Sequence, residues 1–452
     1  MNSEAKIQTL EAENAMLRQQ LQQLEEKVIF LLQQIELQAV KKDSHNSHNP
    51  PSQDKYKPKR NQSLRKKTGR KSGGQKGHKG HQHKQNPNPD RKINLKSNYC
   101  ESCGNDLSEL SHTLLSKRQV IELPPINPIC IEYRRYGCIC LCGYHQKASY
   151  PSTVTAPIQF GSDIMALVSY FNVFQYIPYA RLKLLFKDVF NLSISEGSIE
   201  NLLNKGAEKS KPVYQTILEK IKSASYLGAD ETGAKVNGEK LWIWVWQNLK
   251  NTFLKASDNR GFETVQALFP DGLSNATIGS DRWAAQLKIA SKNKQLCFPH
   301  LQRDLNFLEE KEKSNWATYF KKLLQQALQL RHRAVERNQP FPKGHPDVYT
   351  LEHRLNRLLA RSIVKEQFPQ THTFQKSMIK YRNYLFPCLY DLEIPPDNNA
   401  SERAVRNIKV KQKISGQFKS GQDTFCILRS TIDTLRKREL DVLFFLKQIM
   451  AV

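Results

Sequence analysis

Between residues 41 and 96 the chain carries 17 Lys and Arg against three Asp, with Pro50, Pro51, Gly69, Gly73, Gly74, Gly77 and Gly80 among them. A segment so charged and so poor in apolar side chains cannot bury enough surface to offset its ordering entropy, so it is expected to be disordered in isolation. Whatever folds must therefore fold before it or after it. The 452 residues leave room for roughly two to four units of ordinary domain size. Within the segment, Arg65, Lys66, Lys67, Arg70 and Lys71 read as phosphate contacts that give affinity with little choice of sequence. The bland alternative is a solvating linker.

Across the whole chain 69 Lys and Arg face 43 Asp and Glu, a net charge of +26. That excess points to a polyanionic partner, either nucleic acid or an anionic membrane. The membrane option is weak, because no run of about 18 apolar residues is present and the Gln/Glu-rich start is unlike a signal peptide. Nine Cys, an odd number without a secretory signal, fit a reducing cytoplasm better than a disulfide framework.

Residues 1–40 carry a heptad pattern. Ile7, Asn14, Leu21, Val28 and Ile35 occupy a positions, and Leu10, Leu17, Leu24 and Leu31 occupy d positions. A single Asn at an a position is a device for fixing the register of a parallel dimer, so a coiled coil and a homodimer or higher oligomer are expected. The alternative is an amphipathic helix packed on its own domain.

Residues 97–150 hold six of the nine Cys, and Cys100-Glu101-Ser102-Cys103 has the CxxC spacing of a zinc knuckle. Downstream the pattern is Cys138-x-Cys140-x-Cys142. The expected ligands of one structural Zn²⁺ in a zinc-ribbon-like unit are Cys100, Cys103, Cys140 and Cys142, with Cys138 the alternative. Cys130 reads as an ordinary buried thiol. Four thiolates would leave no open position for chemistry. Free cysteines in a small β unit are the competing account.

Residues 151–220 read as helical. Ile164, Leu167, Val168, Phe171 and Phe174 share a face, a break falls at Asn191-Leu192-Ser193, and a second helix starts near Ser195. Two helices about a short break resemble a helix-turn-helix, with plain packing an equal alternative. Glu196 and Glu200 argue against close phosphate contact on that face.

From residue 221 the pattern becomes strand-like. Tyr226–Ala229 is a short apolar run ending at Asp230-Glu231-Thr232. Residues 240–247 are apolar on both alternating sets and should be covered on both faces. Thr252–Leu254, a helix near Phe262–Phe269, Ala276–Ser280 ending at Asp281, and Gln295–Phe298 complete three strands, a helix, a strand, a helix and a strand. The expected class is α/β, a mixed sheet over residues 221–300, with a helical insertion over 301–394 and a return to the same domain over 395–452. Carboxylates leaving neighbouring strand ends can hold Mg²⁺ jointly, and a pair of such ions supports in-line phosphoryl displacement. A third acid is offered by Glu402, in Pro395-Pro396-Asp397-Asn398-Asn399-Ala400-Ser401-Glu402-Arg403. Asn399 and Glu402 could instead form only a capping box.

At this point the motifs are similar to those of the insertion-sequence-66 family of bacterial transposases. The resemblance rests on Arg70–Gly80, Asp230-Glu231-Thr232-Gly233, Cys297-Phe298-Pro299-His300-Leu301-Gln302-Arg303, Asp397–Arg403 and Lys411–Gly416. It implies a ribonuclease-H-like domain whose acidic triad is placed on Asp230, Asp281 and Glu402, holding two Mg²⁺ or Mn²⁺. His300 and Arg303 match a motif of the family and would orient the site or contact phosphate, a core or surface role being as plausible. Arg403, Arg406, Lys411 and Lys413 would lie near DNA. The implied activity is a DNA transposase: water frees a 3′-hydroxyl at the element's end, and that hydroxyl attacks target DNA. DNA ends and target are then the partners, with companion proteins of the same element, and the bacterial nucleoid is the location. A non-catalytic DNA-binding protein derived from a transposase is the alternative, as is a nuclease that cuts without joining.

Overall fold

A computed structural model describes residues 3–39, 42, 43, 45, 46, 77, 84–418 and 421–451. Contacts divide the chain into one unit of residues 1–62, 132–184 and 194–452 and another of residues 63–131 and 185–193. The basic run Arg65–Lys71 lies outside the described residues.

In the first unit, Ser3–Ala39 forms a helix, α1, with no Gly or Pro to interrupt it. Leu17, Leu21, Leu24, Val28 and Leu31 are each between 47% and 64% exposed along it. Just beyond, Asn46 Nδ2 donates to Glu310 and Asn306 Nδ2 donates to the His45 carbonyl, so the start of the basic segment is held. A small hairpin joins β1 (Gly137–Ile139) to β2 (His145–Lys147). Helix α2 (Ser162–Ser169) runs into a π-helical turn, Tyr170–Phe174, and is followed by α3 (Tyr179–Phe190), whose residues from 185 on belong to the second unit, and by α4 (Glu196–Lys222). The start of α4 lies where Ser195 predicts it, because the Ser195 Oγ accepts the Ser198 N–H at 3.0 Å.

The sheet comprises β3 (Tyr226–Val236), β4 (Glu239–Gln247), β5 (Thr252–Ser257), β6 (Leu273–Ser280) and β7 (Ser291–Leu296), in the order β5-β4-β3-β6-β7. The β3–β4 and β4–β5 pairs are antiparallel, whereas β3–β6 and β6–β7 are parallel. Helices α5 (Phe262–Leu268) and α6 (Ala284–Lys288) fall between the last three strands as expected. One correction concerns β3, which does not end at Asp230 but runs on to Val236. The two-residue turn Asn237-Gly238, with φ of 49° and 87°, returns the chain directly into β4. That turn sets a register in which Asp230 stands opposite Val245, so a charged stretch becomes strand through its partner.

One apolar core lies between the sheet and α4, joining Leu227, Trp244, Trp246, Phe253 and Ile278 to Ile217, Leu218 and Ile221. The free edge of β5 is covered by α13 (Gln422–Lys437): the Leu254 N–H donates to Ser430 Oγ and the Thr252 N–H to Thr434 Oγ1.

The helical insertion comprises α7 (Phe298–Glu312), α8 (Asn315–Glu336), α9 (Pro346–Leu359), α10 (Pro369–Lys380) and α11 (Pro387–Tyr390). Trp316, Phe320, Leu323, Leu351, Leu355 and Met378 form its own core. The chain then enters α12 (Asn399–Ser415), α13 and α14 (Val442–Ala451). Among the described residues no helix is long and apolar enough to cross a membrane.

In the second unit, the Gln85 and Gln119 side chains hold the chain through bonds to the Lys117 carbonyl and to both backbone groups of Asn86. Large apolar residues there, such as Leu115, Ile121 and Ile129, remain exposed.

Candidate active site

The site is organised by two glycines. Gly228 of β3 pairs with Gly279 of β6, the last parallel pair between these strands, and Asp230 and Asp281 each stand two residues further on. The β3–β6 pairing ends at that pair, so the two acids leave this ladder together. Gly228 also admits the start of α12: a Cβ there would lie 2.5 Å from Gln247 Nε2, 2.6 Å from Ser401 Oγ and 2.8 Å from Asn398 Oδ1.

Hydrogen bonds fix α12 in that notch. Asn398 Nδ2 donates to the Ala229 carbonyl at 2.7 Å, and the Asn398 N–H donates to Cys297 Sγ at 3.2 Å. Gln247 Nε2 donates to Ser401 Oγ at 3.2 Å, and Lys409 Nζ reaches the Gly233 carbonyl. The helix is therefore capped differently from the sequence expectation. Asn398, not Asn399, is the cap residue, and its side chain makes no cap hydrogen bond; its Nδ2 donates to the strand instead. Glu402 in the first turn is thus left available. Its Oε1 is buried and accepts no hydrogen bond among the described residues. His300 Nε2 lies 3.7 Å and Arg303 Nη2 3.8 Å from that oxygen, both carried on the first turns of α7.

Electrostatics ties the three acids together. Burial holds the Asp230 carboxyl well above the usual carboxylate range, and the charges of Asp281, Glu231 and Glu402 push the same way. The Glu231 N–H donated to Asp230 Oδ1 opposes them. Asp281 Oδ1 accepts the Trp283 N–H at 2.7 Å. Three carboxylates from distant parts of the chain therefore act in one field. Among the described residues the three acids do not form a group whose ligand atoms all lie within 4.8 Å of one another, as Cys297, His300 and Glu402 do.

Glu231 was not singled out in the sequence. Its side chain is 2% exposed and accepts from Arg260 Nε at 3.0 Å and Nη2 at 2.8 Å, and from Gln286 Nε2. The Arg260 guanidinium lies between the rings of Trp242 and Trp283, 4.6 and 3.7 Å from their centroids. Neighbours in a strand face opposite ways, so the adjacent Asp-Glu pair was the available signal: one member faces the site and the other must be paired elsewhere.

With that geometry in place, comparison with known families matches residues 157–424 to the Transposase IS66 family. The chain belongs to the IS66 transposase family. The matched span includes all three acids, the sheet, and the helical insertion between the second acid and the third. Residues 1–84 match a family of unknown function, DUF6444. No curated protein matches the chain. Membership in a transposase family implies DNA as partner.

Not every basic residue read as a contact of this transposase-family chain lies where DNA could reach it. Arg403, Arg406 and Lys413 are exposed on α12. Lys411 is not: it is 8% exposed, its ammonium approaches the carbonyl and Oδ1 of Asn172 in the π-helical turn, and burial lowers its pKa to about 8. The helical period turns that one lysine inward, and the partner that draws it in lies far away in sequence.

Cys100–Cys103 and Cys140–Cys142 sit in turns. The Gly104 N–H donates to the Cys100 carbonyl and the Cys100 N–H to the Asn105 carbonyl; likewise Gly143 donates to Cys140, and Cys140 to Tyr144. Gly104 and Gly143 have φ of 76° and 85°. The N–H groups of Cys103 and Ser102 favour the thiolate at Cys100, and those of Cys142 and Leu141 favour it at Cys140. Cys138 is exposed within β1, and Cys130 is an exposed thiol rather than a buried one.

Proposed function

We propose that this chain is a DNA transposase whose chemistry is carried by Asp230, Asp281 and Glu402. The observation that carries the reading is the raised Asp230 carboxyl, held in the combined field of Asp281 and Glu402. The donor set fits a hard divalent cation. Three carboxylates converge electrostatically, and a buried Glu402 oxygen accepts no hydrogen bond among the described residues. Mg²⁺ or Mn²⁺ at these oxygens would supply Lewis-acid stabilisation of a phosphoryl displacement. The chain's own residues position the reaction. Gly228 and Asn398 set the third acid against the first two, and Arg303 and His300 hold the Glu402 carboxylate while presenting cationic or N–H groups to a phosphate. Water attacks a phosphodiester at the element's end and frees a 3′-hydroxyl, which then attacks target DNA. No serine or tyrosine nucleophile is assigned.

The strand order, with the first acid on the central strand and the second past a parallel neighbour, supports a ribonuclease-H-like reading of the sheet. The exposed stripe of Leu17, Leu21, Leu24, Val28 and Leu31 supports a coiled coil with a second copy, registered by Asn14. Each cysteine turn by itself aims N–H groups at sulfur, the local geometry of a zinc knuckle. We retain the proposal that Cys100, Cys103, Cys140 and Cys142 hold one structural Zn²⁺, with Cys138 the alternative ligand. Arg65, Lys66, Lys67, Arg70, Lys71, Arg403, Arg406 and Lys413 are the proposed DNA contacts.

The test is Asp230→Asn with labelled element ends in Mg²⁺. Cleavage and joining are expected to disappear while end binding in a gel-shift assay persists. Normal cleavage by this variant would remove the assignment, and cleavage by the parent without joined products would make the chain a nuclease.

A further inference from the structure

The third acid belongs to a second set of ligands. Cys297 Sγ, a ring nitrogen of His300 and a carboxylate oxygen of Glu402 all lie within 4.8 Å of one another. They come from the turn into α7, from its first turn, and from the first turn of α12. This set is unlike the acid triad. Sulfur and imidazole nitrogen are soft or borderline donors that favour zinc-class ions, whereas Mg²⁺ prefers oxygen alone. Three protein ligands also leave a fourth tetrahedral position for water or a phosphate oxygen.

We propose that Cys297, His300 and Glu402 form a binding site for a zinc-class transition ion, and that such an ion withdraws Glu402 from the acid triad. The second half rests on the catalytic reading of Glu402; the first does not. The surroundings of the sulfur suit a metal-bound thiolate. Asn398 donates its N–H to Sγ at 3.2 Å, and the His300 N–H acts on the same sulfur. Burial pushes the free thiol up, so without a metal it stays protonated and unreactive. A coordinated cation removes that proton to solvent. Because Asn398 also anchors α12 to β3, metal binding at Cys297 and placement of Glu402 are mechanically joined. A soft ion here would act as a brake on a hard-ion enzyme, set by the ratio of the two metals.

Co²⁺ is the probe for binding, because its bond to a thiolate gives a charge-transfer absorption. The full chain is titrated beside full-length Cys297→Ser, His300→Asn and Cys388→Ser. Cys297→Ser should bind one Co²⁺ fewer than the parent and lose the matching part of the sulfur band, and His300→Asn should weaken that ion by about tenfold or more. Cys388→Ser, a buried thiol outside the cluster, should match the parent. Thiols other than Cys297 and Cys388 are common to all four proteins, so the difference isolates this site. An unchanged Co²⁺ count in Cys297→Ser, with His300→Asn also unchanged, overturns the site. In the second arm, Zn²⁺ is added to Mg²⁺-supported cleavage and each protein is compared with its own zinc-free rate. The Zn²⁺ concentration that halves the rate should rise about tenfold or more in Cys297→Ser. Equal inhibition of both proteins overturns the sharing of Glu402. A parent that never cleaves in Mg²⁺ defeats the transposase chemistry instead, and the Co²⁺ counts still decide the site.

Discussion

Cys100 and Cys103 sit three residues apart on one turn, whereas Asp230, Asp281 and Glu402 come from a strand, a strand's exit and the start of a helix and meet only through one electrostatic field. The first arrangement is written locally. Backbone N–H groups of the same turn face the sulfur, and the region around it has little apolar core, with Ile121, Leu123 and Ile129 more than 80% exposed. The second arrangement is built from packing. It depends on a glycine notch, on an asparagine that bonds to a neighbouring strand, and on burial that no short segment could supply. A local site without a core depends on a ligand for its order, while a packed site is ordered first and charged afterwards. Perturbations should therefore separate the two.

The largest separation is expected from Asp230→Asn, which removes one charge from the packed site and leaves its volume unchanged. Strand cleavage should fall about a thousandfold or more, measured in single turnover, while the zinc content of the protein stays that of the parent. A parallel loss of zinc would mean that the two sites are not independent.

Next is Gly228→Ala, which attacks packing without touching charge. The new methyl would overlap Gln247, Ser401 and Asn398 side-chain atoms that are themselves buried. Overpacking of this kind costs about 1–3 kcal/mol, to be read from urea unfolding. Displacement of α12 should lower cleavage about ten- to a hundredfold. Wild-type stability and cleavage in this variant would show that the notch does not set the position of Glu402.

How much of each region was legible follows from the same distinction. The order of three strands, a helix, a strand, a helix and a strand was readable because apolar runs such as Trp242–Trp246, and the helical spacing of Trp316 and Phe320, are local patterns. The cysteine turns were readable for the same reason. The end of β3 was not, because Asp230-Glu231 reads as an exit from a strand, and only the register with β4 makes it an interior. Asn399 was assigned the cap that Asn398 occupies, since the bond to Ala229 is invisible to spacing. Lys411 was read among its basic neighbours, and the Asn172 that draws it inward is remote in sequence. The three acids were assembled as a set with the help of family motifs, because nothing within any one of the three segments requires the other two.

A smaller effect should come from the cysteine side. Removing zinc with a chelator, or substituting Cys100→Ser, should open residues 97–150 to proteolysis several-fold faster. The melting of the sheet, followed by the fluorescence of Trp244 and Trp246, should not move. Cleavage sites within residues 221–300 appearing at the same rate would contradict the proposed independence.

The smallest effect is the most discriminating for the origin of the packed site. Burial and three neighbouring carboxylates raise the Asp230 carboxyl well above its ordinary 3.8, so the folded chain holds that proton more tightly than the unfolded chain does. The sign follows from linkage: this stabilisation is fully present below the unfolded value and is lost as pH rises through the folded one. Above the ordinary carboxylate value, without divalent cations, Asp230 therefore costs the fold stability that a neutral side chain would keep. Asp230→Asn, neutral at every pH, should melt a few degrees above the parent there. The gap should shrink as the pH is lowered toward the ordinary carboxylate value, where both side chains are uncharged. Mg²⁺ should raise the parent's melting temperature and leave the variant nearly unmoved, closing the gap from the other side. If the two proteins melt together at every pH and in both metal conditions, the charge of Asp230 is not confined. The acids would then be no more than surface groups, and the contrast with the cysteine turns would fail.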